Sequence, residues 1–203
     1  MSATGVSRQV DRRDDKRDAT SQELVRQGTA SQQRECSTIL RIVAENTRAF
    51  RFLEVGPLSD AELTLRLART VDGDIDKKSV ATYHFEMLIA DEVVGGIRFR
   101  AENGFDVETY AGNLGYNVAP RFRGRHLAVR ACRLLMPLAN AHGFVELWIT
   151  CDPGNYASRR TCERLGAELV DVAELPQDSD MYHDGERFKC RYRLDVCQTL
   201  EHH

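Results

Sequence analysis

The chain lacks any apolar run approaching the length of a membrane span, and its first residues are too polar for a secretory signal. Both absences lead to the expectation of a cytoplasmic protein without a membrane partner. Cys36, Cys132, Cys151, Cys162, Cys190 and Cys197 form no Cys-x-x-Cys pair and no Cys/His cluster at zinc-ligand spacing, so reduced thiols and no metal are expected. There is little charge of one sign. A formal net charge of -3 argues against nucleic acid as the main partner. Internal repeats and low-complexity tracts are absent. The glycines are followed by no Lys-Ser/Thr and never come as three spaced residues, which moves ATP and NAD down the order of ligands.

What remains is a composition of 42% hydrophobic and 29% charged residues over 203 residues, suited to one soluble globular domain with a sizeable core. Residues 11–18 balance four acids against four bases with no apolar face, so residues 1–31 read as a disordered or solvated extension. Over 32–50, Ile39, Leu40, Ile42 and Val43 give a partly amphipathic helix that could pack on the domain or on a second copy in a homodimer. Residues 51–199 form the domain proper. The ending Leu200-Glu201-His202-His203 resembles the start of a histidine tag and is set aside.

Within the domain the pattern is an α/β succession. Residues 51–55 read as a short strand, and Asp60 as the cap of a helix to about residue 70. Residues 81–89 alternate Tyr83, Phe85 and Met87 against His84, Glu86 and Leu88, then turn at Ala90-Asp91-Glu92 into a second strand, a hairpin signal. Residues 113–118 supply the next strand. Leu127, Ala131, Leu134, Leu135 and Leu138 mark the apolar stripe of a helix that Pro137 should kink. A strand over 145–151, a helix from Asn155 to Leu165 ended by Gly166, a strand to about Glu174, a polar loop and a strand through Leu194 complete the order.

The stretch LGYNVAPRFRGRHLAVRAC, Leu114 to Cys132, carries the most chemistry. A strand meets an arginine-loaded glycine turn and then a helix, so unpaired N–H groups, the helix dipole and Arg121, Arg123 and Arg125 converge on one anion site. A phosphate or pyrophosphate fits there. A plain solvated cap is the competing reading.

Arg123-Gly124-Arg125-His126-Leu127-Ala128 resembles the pyrophosphate loop of the GNAT superfamily of acyl-CoA-dependent N-acyltransferases, with pattern Arg/Gln-x-x-Gly-x-Gly/Ala. His126 stands where the central glycine is usual. Downstream, Asn155-Tyr156-Ala157-Ser158 and Leu165-Gly166 resemble the family's Asn-x-x-Ala/Ser helix start and Leu-Gly end. The resemblance implies a GNAT fold, a mixed, mostly antiparallel sheet of about seven strands flanked by helices. It also implies acetyl-CoA as co-substrate and an amine, small molecule or protein N-terminus, as acceptor. By the resemblance Tyr116, Asn117 and Val118 hold the pantetheine and thioester through backbone groups, the loop from Arg123 to Ala128 holds the pyrophosphate, and Asn155 and Ser158 face the pantetheine arm. The family's thiolate protonator is a tyrosine seven residues after the asparagine, a position held here by Cys162. That thiol is either the proton donor or a buried packing residue.

For a general base the sequence offers Glu86, His84, Glu108 and Tyr116 without choosing among them. Acids in 175–186, namely Asp178, Asp180, Asp184 and Glu186, would suit a cationic amine or belong to a solvated loop. Two other functions stay open: a non-catalytic acyl-CoA sensor of the same fold, and a phosphate-rich nucleotide binder.

Overall fold

The computed structural model describes residues 50–74 and 79–201. The expected extension and all of the expected N-terminal helix but Phe50 lie outside the described residues.

Alternating burial builds the first sheet. β1 (Leu58–Ser59), β2 (Leu63–Val71), β3 (Thr82–Ile89), β4 (Glu92–Arg100) and β5 (Leu114–Val118) pair antiparallel in chain order. Tyr83, Phe85 and Met87 turn into the core while His84 and Glu86 face the other way. The β3–β4 turn puts Ala90 and Asp91 at φ 48° and 66°, the left-handed values that two-residue hairpin loops require. The second sheet has the order β6 (Glu146–Cys151), β8 (Phe188–Asp195), β7 (Glu168–Glu174), again antiparallel. Among the described residues eight strands in two sheets thus stand where about seven were expected.

Two expectations near the start of the domain are corrected. Residues 60–70 contain a strand, not a helix: Leu63 and Leu65 are buried while Thr64 and Arg66 are exposed, a period of two. Asp60 does cap, but what it caps is a turn, its Oδ1 accepting from Leu63 N–H at 3.0 Å. Residues 51–55 form no strand. Leu53 N–H donates instead to the Tyr83 hydroxyl (2.7 Å), which pairs with His142 Nε2 (2.7 Å), and the Phe50 and Phe52 rings pack edge to face beside them.

Helix α1 (Leu127–Ala141) lays Leu127, Ala131, Leu134, Leu135 and Leu138 into a core shared by both sheets, and Pro137 does not end it. α2 (Tyr156–Leu165) begins at the Asn155 cap and stops at Gly166, whose φ of 80° suits glycine. The polar loop after β7 contains the short α3 (Asp180–His183), and α4 (Val196–Glu201) follows β8. Leu200, set aside as a tag residue, lies in α4 and packs against the core.

The two sheets are clasped at Asn113, which is fully buried. Its backbone N–H donates to Trp148 C=O (2.6 Å), its Oδ1 accepts from Trp148 N–H (2.8 Å), and its Nδ2 donates to Arg100 C=O (3.2 Å). One amide side chain therefore links β4 to β6 across the start of β5. Gly112 precedes it with φ 67°, and a Cβ there would stand 2.9 Å from Thr150 N. Asn113→Ala would leave two buried backbone groups unpaired, so urea unfolding should show a loss of about 3 kcal/mol. A change under about 0.5 kcal/mol would mean the sheets hold together without this clasp.

Candidate active site

β5 offers its backbone to the gap between the sheets. Ala119 N–H bonds Val94 C=O (2.9 Å) and Arg100 N–H bonds Asn113 C=O (2.8 Å), so antiparallel alternation turns the N–H and C=O of Leu114, Tyr116 and Val118 away from β4. Past Val118 the chain makes a 3-10 turn over Pro120–Phe122, then passes through Gly124 (φ 81°) and His126 (φ 57°) into α1. No side chain caps α1, so its first N–H groups keep their capacity for an anion. The left-handed backbone at His126 is the conformation that glycine favours.

The loop arginines divide. Arg121 pairs with Glu92, and Arg125 with Glu62 at 3.1 Å. Arg123 has no carboxylate partner among the described residues; its Nε donates to Val118 C=O at 3.1 Å. Arg130, one turn into α1, holds Asp60 through Nε at 2.7 Å and Glu62 through a terminal nitrogen at 2.9 Å, tying the β1–β2 turn to the helix.

Three cavities surround this point. The first, about 620 Å³, lies between the loop and α2 and is lined by Tyr116, Asn117, Val118, Arg123, Gly124, His126, Leu127, Ala128, Asn155 and Ser158, among others. All of these were singled out from the sequence. Arg125, singled out with them, turns away to Glu62. Ala157, Arg160, Thr161 and Arg164 also line it and were missed, although their i, i+3, i+4, i+7 spacing was readable as one face of the helix. A second cavity, about 300 Å³, is bordered by His84, Gly96, Arg98, Gly115, Tyr116 and Asn117. The third, about 490 Å³, lies between β5 and β6 and includes Arg98, Arg100, Tyr116, Cys151, Asn155, Ser158, Glu186 and Lys189. Tyr116 borders all three.

The Acetyltransferase (GNAT) domain model matches residues 31–168, more than half of the chain. The chain belongs to the GNAT acetyltransferase family. No curated protein sequence matches it. Among solved structures, it is similar to RimL, the ribosomal L7/L12 alpha-N-protein acetyltransferase in complex with coenzyme A, at 14% identity and TM-score 0.52, covering 69% of this chain and 98% of that one. It is also similar to the microcin C7 self-immunity acetyltransferase MccE in complex with acetyl-CoA and AMP, at 18% identity and TM-score 0.45, covering 56% and 61%. A GNAT-family acetyltransferase from Bacillus anthracis gives 18% identity and TM-score 0.44, covering 56% and 66%. The chain thus spans less than two thirds of the length of these last two. At 14% identity the likeness to RimL shows the fold alone.

On this GNAT frame Cys162 is fully buried and lines none of the three cavities. The neighbouring Cys151 thiol and burial both hold the proton on Cys162. The hydroxyl at the junction is that of Tyr116, hydrogen-bonded to Ser158 Oγ at 2.9 Å. Burial raises the Tyr116 phenol above its usual value and keeps it protonated. Of the candidate bases, Glu86 is ion-paired with Arg66 at 2.7 Å. His84 borders the second cavity and is kept neutral, first by burial and then by Arg69, Arg98 and Arg100. Glu108 contributes its carbonyl to Arg191 (3.1 Å) and borders none of the cavities. Of the loop acids only Glu186 lines a cavity, and it is ion-paired with Lys189. Among the described residues no group of His, Cys, Asp and Glu could hold a metal.

The Asp60–Arg130 pair carries a pH signature. The Arg130 guanidinium holds the Asp60 carboxyl below its usual 3.8, so the stabilisation is present above about pH 4 and is lost as pH falls through the lower folded value. Asp60→Asn should cost about 1 kcal/mol at pH 7, and the gap from the parent should close below pH 3.8 in thermal melts. A gap that persists into acid would show that the pair contributes through packing alone.

Proposed function

We propose that this protein is an N-acetyltransferase moving an acetyl group from acetyl-CoA to a primary amine by direct transfer in a ternary complex. The observation that carries the reading is the junction at Tyr116, where a cavity under an uncapped helix N-terminus meets two further cavities on the other side of β5. The donor set of the first cavity suits the phosphates of acetyl-CoA. The first N–H groups of α1 and the Arg123 charge take the pyrophosphate, and Arg164 supplies another cation from α2, where Arg160 is paired with Glu163 at 2.9 Å. Bound acetyl-CoA supplies an activated acyl carbon.

The chain's own residues do the rest. Backbone groups of Tyr116 and Val118, directed off the β4 ladder, orient the thioester arm and polarise its carbonyl. The Tyr116 hydroxyl, with Ser158 beside it, holds the proton for the departing sulfur, a task Cys162 is too buried to perform. His84, neutral on the far side of β5, is the base we favour for the amine. We keep a cytoplasmic setting within this proposal; no helix among the described residues is long and apolar enough to cross a membrane. Buried Cys162 at the family's proton-donor position favours a second reading, an acyl-CoA sensor without turnover.

Arg123→Glu should weaken coenzyme A binding by at least tenfold in calorimetry, because it reverses the one loop charge without a carboxylate partner. Unchanged affinity would remove the phosphate assignment. Tyr116→Phe should lower turnover by roughly 100-fold with coenzyme A affinity held, and Cys162→Ala by less than threefold. A sensor would show tight binding and no acetyl transfer to any amine.

A further inference from the structure

The face of the first sheet opposite α1 carries cations that nothing in the described protein neutralises. In register across three strands, Arg69 of β2 opposes His84 of β3, and His84 opposes Arg98 of β4. Arg98 in turn opposes Gly115 of β5. Arg69 and Arg98 have no carboxylate partner among the described residues. Arg100, two residues on from Arg98 and on the same face, gives its guanidinium to the neutral carbonyls of Ala111 (3.1 Å) and Gly112 (2.8 Å). Glu86, which shares this face on β3, is occupied by Arg66.

Arg69 and Arg98 flank the neutral His84 ring and gain no ion pair within the sheet, so cross-strand pairing gives no reason for this row. Its position gives one. Arg98 borders both cavities on the far side of β5, and its guanidinium lies over Gly115, where a Cβ would stand 2.6 Å from Arg98 Nε. The missing side chain lets that charge lie next to Tyr116. The larger cavity also holds two acids: Glu186 is paired with Lys189, and Asp152 accepts from Gly154 N–H at 2.7 Å and keeps its charge. Against them stand Arg98, Arg100 and Lys189, so the lining is positive on balance.

We propose that the acceptor is a small amine bearing its own anionic group, a carboxylate or a phosphate ester close to the nitrogen, and that Arg98 binds that group and so sets specificity. This rests on the acetyl-transfer reading above. The nitrogen lone pair forms the new N–C bond as the C–S bond breaks, the electron pair leaves with sulfur, and the proton lost by nitrogen balances the one gained by the thiolate. Arg98 anchors the anion while the positive field of Arg69 and Arg100 favours the neutral amine over its ammonium form. Cavities of about 300 and 490 Å³ suit a small molecule.

The test uses matched pairs and the full chain. An α-amino acid is compared with its amide for the carboxylate arm, phosphoethanolamine with ethanolamine for the phosphate arm, and a diamine serves as the purely cationic case. Initial rates with acetyl-CoA are measured alongside calorimetric titration of each amine into the coenzyme A complex. One anionic member should exceed its neutral partner roughly 10- to 100-fold in kcat/KM and in affinity, and which arm responds identifies the anion. Arg98→Ala should erase that preference, Arg98→Lys restore part of it, and both should leave coenzyme A affinity unchanged. Preference for the diamine or the neutral partners, or a preference that survives Arg98→Ala, overturns the proposal. Binding that prefers the anion without turnover overturns acetyl transfer and leaves the anion site standing. Absence of both binding preference and turnover sinks the two together.

Discussion

Asn113 replaces, with one buried side chain, the ladder that β5 and β6 do not form. Its amide satisfies Trp148 N–H and Arg100 C=O at one end of β5, so the strands are fixed together there. Past that point the two strands wall a cavity instead of bonding to each other. The Tyr116 backbone is thereby directed into a gap that a bound chain can enter, and every cavity at the site touches this residue. A continuous sheet would have closed the site with its own hydrogen bonds.

Arginine is abundant around this gap, and its neighbours sort it. Arg125 and Arg130 answer Glu62 and Asp60 and hold the β1–β2 turn to α1, while Arg121 answers Glu92. Among the described residues, Arg123 on one side of β5 and Arg98 on the other have no acid partner. The distinction matters because a charge already paired with a carboxylate offers a ligand much less than an unpaired one. In the third cavity Arg98, Arg100 and Lys189 outnumber Asp152 and Glu186, and Asp178, Asp180 and Asp184 border none of the three cavities.

Local signals were legible in the sequence and long-range ones were not. The β3–β4 hairpin, α1 and α2 followed from alternation, an apolar stripe, and the Asn155 and Gly166 caps, all of which act within a few residues. The same locality misled at residues 60–70. An Asp that accepts from the N–H three residues on looks alike at a turn and at a helix start, and only the two-residue period of Leu63 and Leu65 separates them. Arg123, Gly124, His126, Leu127 and Ala128, which line the first cavity, were readable together because they form one continuous motif. The Asn113 clasp, the Arg125–Glu62 pair and the Tyr116–Ser158 contact join residues 35, 63 and 42 positions apart, and no spacing rule announces them. Cys162 was readable as a position but not as an environment; it is completely buried in the core cluster, among residues of other elements such as Cys132 and Cys151.

On the proposed reading, the gap opened at Asn113 seats acetyl-CoA with its phosphates on the start of α1 and its thioester at Tyr116. A crystal structure of the acetyl-CoA complex would show this seating. Pyrophosphate oxygens should lie about 3 Å from the N–H groups that follow Arg123, and the thioester carbonyl within hydrogen-bond distance of the Tyr116 backbone. Acetyl-CoA seated elsewhere on the protein, or a thioester more than about 6 Å from Tyr116 with β5 and β6 closed into one ladder, would contradict it.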